Sequence, residues 1–317
     1  MIAGVAAVVM AALAAGAGAR VTPRALTVRR LRLIHAFTVH GHFVTVPHRQ
    51  VTVSVTLPGV AAGTVIRFST REGTRVFKRR RLTYRGRAEG NWHFVVNLDA
   101  PAVGNVRVIL HRVPGQGRPA FTIHTGFRAL DANVSPGATG QFVELLQQRL
   151  AALHIYLPQT GVYDLGTQLA LDTYHRLLGE GEGHMQLDAV TVTDLLDGRG
   201  VFHVRYPLQG HHVEGDLSDQ VIAFINGSRV AMLFPISSGK PSTPTILGKF
   251  QVYYKEPYYT PDGMYFSSFF YSGYAIHGYD PAPDYPASHG CMRLPMSDAI
   301  TAYNWLHVGD WVDTYYT

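Results

Sequence analysis

The spacing of apolar residues changes twice along this chain of 317 residues, and this change limits the possible folds. Residues 20–130 contain short alternating apolar runs, and residues 134–199 contain stripes with the 3.6-residue period of helices. From residue 209 onward, short apolar runs bounded by Gly, Pro and Ser return. A chain of this length holds two or three domains. The sequence therefore predicts a multidomain protein with an all-β N-terminal domain, a small three-helix domain and a β-rich C-terminal domain.

The N-terminal region is predicted to be a β-sandwich of the Ig-like kind. Its alternating segments are separated by turn residues, as in such sandwiches. They cover residues 51–57, 64–68, 92–98, 106–110 and 121–125. No family motif accompanies this pattern, so the prediction for residues 20–130 depends on the spacing alone.

Helices are expected in the middle region, where apolar residues recur at i, i+3 and i+4. The predicted helices cover residues 139–153, 166–178 and 188–196. In the C-terminal region, strands are expected at 221–225, 230–234 and 250–254, and a helix that Ser297 would cap at 297–307. The aromatic residues between positions 253 and 274 fit a sheet core with a hairpin, or a mobile flap over a cleft.

Charge divides the chain at about residue 130. Residues 20–130 hold 19 Lys or Arg and 3 Asp or Glu residues. Residues 131–317 hold 9 Lys or Arg and 19 Asp or Glu residues. The densest basic cluster is Lys78-Arg79-Arg80-Arg81, with Arg85 and Arg87 nearby. This basic region predicts a polyanionic partner, and a solvated basic face is the other interpretation.

Residues 2–19 have the composition of an export signal, because they are apolar, alanine-rich and uncharged. They end in Ala17-Gly18-Ala19, whose small residues predict signal-peptidase cleavage after Ala19. No Lys or Arg precedes the apolar run, and its length is at the lower edge of a membrane span, so an uncleaved anchor is an alternative. Either form predicts an exported protein in the periplasm or cell wall. The polyanion is then a wall polymer or an anionic lipid, and nucleic acid is not expected.

The single cysteine, Cys291, follows Ser288-His289-Gly290 and lies fourteen residues after His277. A thiol is a strong nucleophile only as the thiolate, so it needs a base or a positive field nearby. His277 is the candidate base. Gly290 allows the backbone to pass close to the sulfur, where amide N–H groups can face a reacting carbonyl. This combination predicts an acyl-transfer site.

Two neighbours of the thiol have more than one interpretation. His289 is either a core histidine or a residue that positions the catalytic groups. Arg293 is either a surface arginine or the anchor for a substrate carboxylate, which a guanidinium binds through two hydrogen bonds and a lysine does not. The anchor is the favoured interpretation.

Together these residues resemble the L,D-transpeptidase (YkuD-like) family, whose motif is an upstream His followed by Ser/Thr-His-Gly-Cys-hydrophobic-Asn or Arg. The resemblance covers residues 209–316 and includes further segments at 212–217, 235–240 and 243–250. Arg293 stands where many members have Asn, and Ile246 replaces a frequent Pro.

The resemblance implies a role for each site residue. Cys291 is the nucleophile, His277 the proton donor and acceptor, and the Gly278 carbonyl orients the imidazole. Gly290 belongs to the oxyanion region and His289 lies behind the catalytic pair. The residues expected to bind substrate are Arg293, Ser288 and Tyr274. No metal and no cofactor are expected.

A second resemblance covers residues 134–199, which are similar to the type 1 peptidoglycan-binding three-helix domain. It depends on residues 136–140, 146–150, 160–164 and 191–195. Tyr174 and His175 stand where that family usually has Phe-Gln. The resemblance implies that this region binds glycan strands.

The two resemblances imply an exported L,D-transpeptidase, a cysteine acyltransferase that joins peptidoglycan stem peptides by 3→3 cross-links. The stems would be both donor and acceptor. Water as acceptor would make the protein an L,D-carboxypeptidase, and a wall-binding protein without activity is a third candidate. A zinc peptidase built from His211, His212, His277 and His289 lacks the short ligand spacing and nearby carboxylate of such sites.

Overall fold

The computed structural model describes residues 30–113, 120–180 and 185–317. The predicted export signal at residues 2–19 lies outside these ranges. The described residues divide into two compact units. The first contains residues 30–34, 52–98 and 107–125, and the second contains residues 35–51, 99–106 and 126–317.

Alternating segments of the N-terminal region form strands, as the period of two predicts. The described strands before residue 130 are β1 (Arg30–Ile34), β2 (Phe37–Val39), β3 (His42–Thr45), β4 (Gln50–Val60), β5 (Val65–Glu72), β6 (Arg75–Thr83), β7 (Gly90–Asp99), β8 (Gly104–Arg112) and β9 (Thr122–Ala129). In the first unit, β4 lies between β1 and β7. Its alternate residues Val53, Val55 and Leu57 are buried, which explains the apolar alternation in the sequence.

Strand β6 carries the basic cluster and pairs antiparallel with β5. The spacing of apolar residues did not predict this strand, because consecutive cations hide the alternation. Arg67 on β5 is directly opposite Arg81 on β6. Both side chains are exposed, so two positive charges lie side by side on the surface of the first unit.

Three helices occupy the middle region: α1 (Gln141–Ala152), α2 (Leu165–Leu177) and α3 (Ala189–Asp197). The Asp164 carboxylate accepts the Thr167 N–H at 2.9 Å at the start of α2, and the Asp188 carboxylate accepts the Thr191 N–H at 2.7 Å at the start of α3. These are N-caps that satisfy otherwise free helix donors. Gly198 ends α3 with φ 77°, a left-handed conformation that suits glycine.

The C-terminal region contains the strands and helix that form the candidate site. These are β10 (His211–Asp216), β11 (Val221–Asn226), β12 (Arg229–Pro235), β13 (Gly248–Gln251), β14 (Tyr254–Tyr259), β15 (Tyr265–Tyr271), β16 (Tyr274–Gly278), β17 (Met292–Leu294), α4 (Met296–Trp305) and β18 (Trp311–Tyr315). One sheet has the order β12-β11-β10-β18-β13, and the other has the order β14-β15-β16-β17. Apolar side chains from both sheets, including Phe224, Phe234, Ile276 and Met292, form one core.

The helices and the C-terminal strands share a second core. Leu146 and Leu150 of α1 and Leu171 of α2 pack in the same apolar cluster as Ala223 of β11 and Leu233 of β12. The Tyr156 N–H also donates to the Leu233 carbonyl at 3.0 Å. Residues 126–317 therefore lie in one compact unit.

Two local predictions in this region are wrong. Residues 250–254 do not form one strand, because the chain leaves β13 after Gln251 and enters β14 at Tyr254. The Val252 N–H instead bonds to the Asp310 carbonyl, outside either strand. Ser297 does not cap α4, because the helix begins one residue earlier after Pro295, and the Ser297 hydroxyl donates to Asp298.

None of the helices in the described ranges is long and apolar enough to span a membrane.

Candidate active site

His277 and Cys291 are brought together by the parallel pairing of β16 and β17. Ile276 is opposite Met292, and His277 is opposite Arg293. Ile276 and Met292 are buried in the core. Because side chains alternate along a strand, His277 and Arg293 lie on the other face. Cys291 immediately precedes β17 and lies two residues before Arg293. The same alternation therefore places its side chain on the face of Arg293.

The His277 imidazole is fixed by its own strand. Its Nδ1 atom lies 2.9 Å from the Gly278 carbonyl oxygen, so Nδ1 carries the proton and donates it there. The Nε2 atom is then left with a lone pair that can accept a proton. Burial lowers the pKa of His277 to about 4, and the positive charge of Arg293 contributes to this. The ring is neutral at physiological pH, as a general base must be.

The Cys291 thiol is half-buried and donates to the Gly273 carbonyl oxygen at 3.6 Å. Burial raises the pKa of the thiol, while hydrogen bonding from the Ala275 backbone and the charge of Arg293 lower it in part. The site therefore holds a neutral thiol beside a neutral imidazole. A thiolate would form there if the imidazole took the proton.

Arg293 lies beside both catalytic candidates. Its guanidinium stacks on the Tyr279 ring at 4.0 Å, and Nη1 donates to the Ala287 carbonyl at 3.5 Å. Its Nε atom is buried without a hydrogen-bond partner among the described residues. The side chain is thus held in place and retains donor capacity.

The turn before the thiol is held by Ser288. Its hydroxyl donates to the Cys291 carbonyl at 2.6 Å and accepts the Gly290 N–H at 3.0 Å. Gly290 has φ 122°, and a Cβ there would lie 2.3 Å from Tyr274 Cε1. Only glycine fits, because both the backbone conformation and the Tyr274 ring exclude a side chain. Ser288, Gly290 and Tyr274 therefore set the position of the sulfur.

His289 lies at the surface and not in the core. It is exposed, and its Nε2 atom lies 3.2 Å from the ammonium of Lys240. The Lys240 N–H donates to the Ser288 carbonyl at 3.0 Å, and the Thr243 hydroxyl donates to the same oxygen at 3.1 Å. The segment around Lys240 thus surrounds the thiol turn.

Gln220 and Arg176 hold the segment that contains Ile236 and Ser238. Nothing in the sequence indicated this role for either residue. The Gln220 amide accepts the Ser238 N–H at 2.8 Å. Arg176 of α2 donates to the carbonyls of Gln220 and Ile236 at 2.7 and 2.9 Å. The periodicity of α2 marks Arg176 only as a polar residue, so nothing in the sequence predicts that it is buried.

The histidines of the zinc-peptidase alternative are separated in the structure. His212 is buried against Glu214, His277 bonds to Gly278, and His289 contacts Lys240. Among the described residues, His211 alone of the four belongs to a group with metal-ligand geometry, and that group contains neither His277 nor Cys291.

Residues 210–313 match the YkuD family, described as the L,D-transpeptidase catalytic domain. No curated protein matches the chain.

Among solved structures, the L,D-transpeptidase of Xylanimonas cellulosilytica is similar, with 29% identity and a TM-score of 0.51 over 57% of this chain and 97% of that one. The L,D-transpeptidase of Stackebrandtia nassauensis has 19% identity and a TM-score of 0.36 over 58% and 95%. The catalytic domain of the Enterococcus faecium enzyme has 27% identity and a TM-score of 0.31 over 34% and 98%.

Residues 210–313 are therefore an L,D-transpeptidase catalytic domain, with His277 and Cys291 inside the matched range.

Proposed function

We propose that this protein is an exported peptidoglycan L,D-transpeptidase that joins two stem peptides by a 3→3 cross-link. The observation that supports this most strongly is the parallel pairing of β16, which carries His277, with β17, which Cys291 immediately precedes. The proposed donor is a tetrapeptide stem, and the bond broken is the one between its third residue and the terminal D-Ala.

The first half-reaction forms a thioester. Nε2 of His277 takes the proton of the Cys291 thiol, which gives up its hydrogen bond to the Gly273 carbonyl. The sulfur then attacks the carbonyl carbon of the third stem residue. The C–N bond to D-Ala breaks, and the imidazolium returns its proton to the departing amine.

The second half-reaction uses the same groups in reverse. The side-chain amine of a second stem attacks the thioester carbonyl, and His277 takes a proton from this amine. The C–S bond breaks and the thiol is restored. A neutral imidazole is needed at the start of each half, which agrees with the low pKa of His277.

The oxyanion of each tetrahedral intermediate would be bound by the Cys291 N–H, which makes no hydrogen bond within the described ranges. One such donor contributes about 2.7–4 kcal/mol in comparable sites. The Gly290 N–H already bonds to the Ser288 hydroxyl, so Gly290 contributes mainly by leaving room for Tyr274.

Arg293 would bind a carboxylate of the donor stem through its remaining donors. Its contact with Tyr279 orients the guanidinium, and its position opposite His277 places the bound carboxylate near the reacting carbonyl. His289, exposed beside Lys240, would lie at the rim of the same site.

The other regions are proposed to hold the enzyme at the wall. Residues 134–199 would bind glycan strands. The opposed Arg67 and Arg81 repel each other across β5 and β6, and a polyanion bound there would offset this repulsion. Sedimentation with purified sacculi and sedimentation with anionic vesicles distinguish a wall polymer from a lipid surface. Arg81→Ser, which removes one of the two opposed charges, is the variant compared with the parent protein.

The proposal is tested by mass spectrometry of disaccharide-tetrapeptide incubated with residues 20–317. A dimer lighter by one D-Ala than two monomers is expected. The matched control is Cys291→Ala, which should give no product while its circular dichroism stays unchanged.

The other outcomes separate the alternatives. Tripeptide monomer without dimer would make the protein an L,D-carboxypeptidase that uses water as acceptor. No product from the parent protein, together with retained binding to sacculi, would make it a wall-binding protein. Turnover by Cys291→Ala would overturn the mechanism.

A further inference from the structure

A second cluster of reactive side chains lies outside the catalytic face, at the start of β10 and in the loop between α4 and β18. It contains His211, His307 and Asp310, which each offer one ligand atom, all within 4.8 Å of one another. His211 is nearly one hundred residues before the other two in the sequence. Tertiary folding brings them together.

The distances within this cluster fit a shared metal ion. Nδ1 of His211 is 2.9 Å from Oδ2 of Asp310, and Nδ1 of His307 is 3.5 Å from the same oxygen. Two ligands that are each about 2.0–2.1 Å from a tetrahedral zinc ion are roughly 3.3 Å apart. The cluster therefore needs little rearrangement to surround an ion.

One atom of the cluster lacks a hydrogen-bond partner. Nδ1 of His211 is buried and forms no hydrogen bond with any described residue, although Asp310 Oδ2 is within 2.9 Å. A buried imidazole nitrogen usually has a partner. Nδ1 of His211 and Oδ2 of Asp310 are close together but not aligned for a hydrogen bond. Such an arrangement lets both atoms coordinate the same ion.

The surrounding groups fix the ligands. The His211 ring is stacked on Trp305 with centroids 3.6 Å apart and an interplanar angle of 19°. The Asp310 carboxylate accepts the His307 backbone N–H at 2.7 Å. Contacts of this kind orient metal ligands before the ion binds. The His307 side chain is 71% exposed, so an ion can enter from solvent.

We propose that His211, His307 and Asp310 form a binding site for a divalent transition-metal ion of the zinc class. Two imidazoles and one carboxylate are ligands that suit Zn²⁺ and its neighbours rather than Mg²⁺ or Ca²⁺. The ion would connect the first residue of β10 to the loop that precedes β18. Its role is structural, because the cluster contains neither catalytic residue.

Zinc binding is tested by isothermal titration of the Cys291→Ala protein, since this background removes the thiol as a competing ligand. One equivalent of Zn²⁺ is expected. His307→Ala and Asp310→Asn should each weaken binding by at least roughly tenfold, as loss of a ligand does. The matched control is His203→Ala, which removes an exposed histidine elsewhere in the same unit and should leave the affinity unchanged.

Two further measurements do not depend on calorimetry. Ni²⁺ should quench the fluorescence of Trp305 because the ring contacts a ligand, and His307→Ala should abolish the quenching. Zn²⁺ should also raise the unfolding temperature of the parent but not of His307→Ala, because an ion that binds only the folded state stabilises it. His307 is exposed, so its removal leaves the fold intact.

Absence of Zn²⁺ binding by the parent would overturn the proposal. So would equal binding by the parent and His307→Ala, which would assign the metal to other histidines. Neither result affects the proposed transpeptidase activity, because that activity is measured by the products formed from disaccharide-tetrapeptide and not by metal binding.

Discussion

His277 and Arg293 are directly opposed on the parallel strands β16 and β17, and Arg293 is two residues after Cys291 in the chain. Burial lowers the pKa of His277 to about 4, and the guanidinium beside it acts in the same direction. The same guanidinium lowers the pKa of Cys291 against the larger opposing effect of burial. The arginine thus keeps the imidazole neutral but makes it a weaker base, which opposes proton transfer, whereas its effect on the thiol assists the transfer.

The pH dependence of activity should reflect the depressed pKa of His277. The base is active when unprotonated, so kcat/KM should fall as the pH drops through about 4, not through the ordinary histidine value of about 6.5. Initial rates of thioester formation between pH 3.5 and 8 measure this. A half-maximal point above pH 6 would show that the imidazole is not buried as described.

His277→Ala should lower kcat by at least about 100-fold, because general-base catalysis contributes roughly 10²–10⁴-fold. The thiol remains, so a small alkylating reagent should still label Cys291 stoichiometrically. Intact-protein mass spectrometry measures the labelling. Activity near that of the parent would exclude His277 as the base.

Gly290→Ala should reduce activity by about 100-fold or more. Its Cβ would lie 2.3 Å from the Tyr274 ring, and φ 122° is strained for alanine, so the thiol turn must move. The matched control is Gly273→Ala in the neighbouring turn, where a Cβ meets nothing within 4 Å. Equal activity of the two variants would contradict the tight fit at Gly290.

Arg293→Lys and Arg293→Met should separate charge from geometry. Lysine keeps the positive charge near the thiol but loses the fork that binds a carboxylate, so KM should rise several-fold with a smaller change in kcat. Methionine loses both, so the alkylation rate of Cys291 at pH 8 should also fall. A lysine variant with parent KM would exclude the anchor.

Arg176→Met should destabilise the second unit by about 3–5 kcal/mol, because it leaves a buried carboxylate unpaired. Arg176 Nη2 lies 2.7 Å from Asp172, whose side chain is 1% exposed. The free energy of unfolding from urea titration measures this effect. The control is Asp172→Leu combined with Arg176→Met, which removes both charges and should cost less than the single change.

The catalytic domain could be predicted largely from the sequence, because its chemistry depends on residues that lie close together in the chain. Ser288, Gly290 and Cys291 form one turn, and the hydrogen bonds of the Ser288 hydroxyl join residues no more than three positions apart. His277 is fixed by the carbonyl of the next residue. The residue types and their local order are therefore enough to propose Cys291 as the nucleophile and His277 as the base.

Strands were predicted where apolar residues alternate, as in β4, and missed where charge hides the pattern, as in β6. Residues 250–254 were assigned to one strand because they are apolar and aromatic. The break after Gln251 arises from a hydrogen bond to distant Asp310, which no local pattern contains.

The sequence by itself determined the thiol and the order of residues in its turn, because these depend on residue type and local backbone geometry. Only the tertiary structure decided that Arg176 of α2 supports the segment beside the thiol, and that His211 meets His307 and Asp310. These contacts join residues 60 or more positions apart in the chain. Their formation depends on packing of the whole unit, since the free energy that buries a charge or gathers three ligands comes from surrounding contacts and not from the neighbours in sequence.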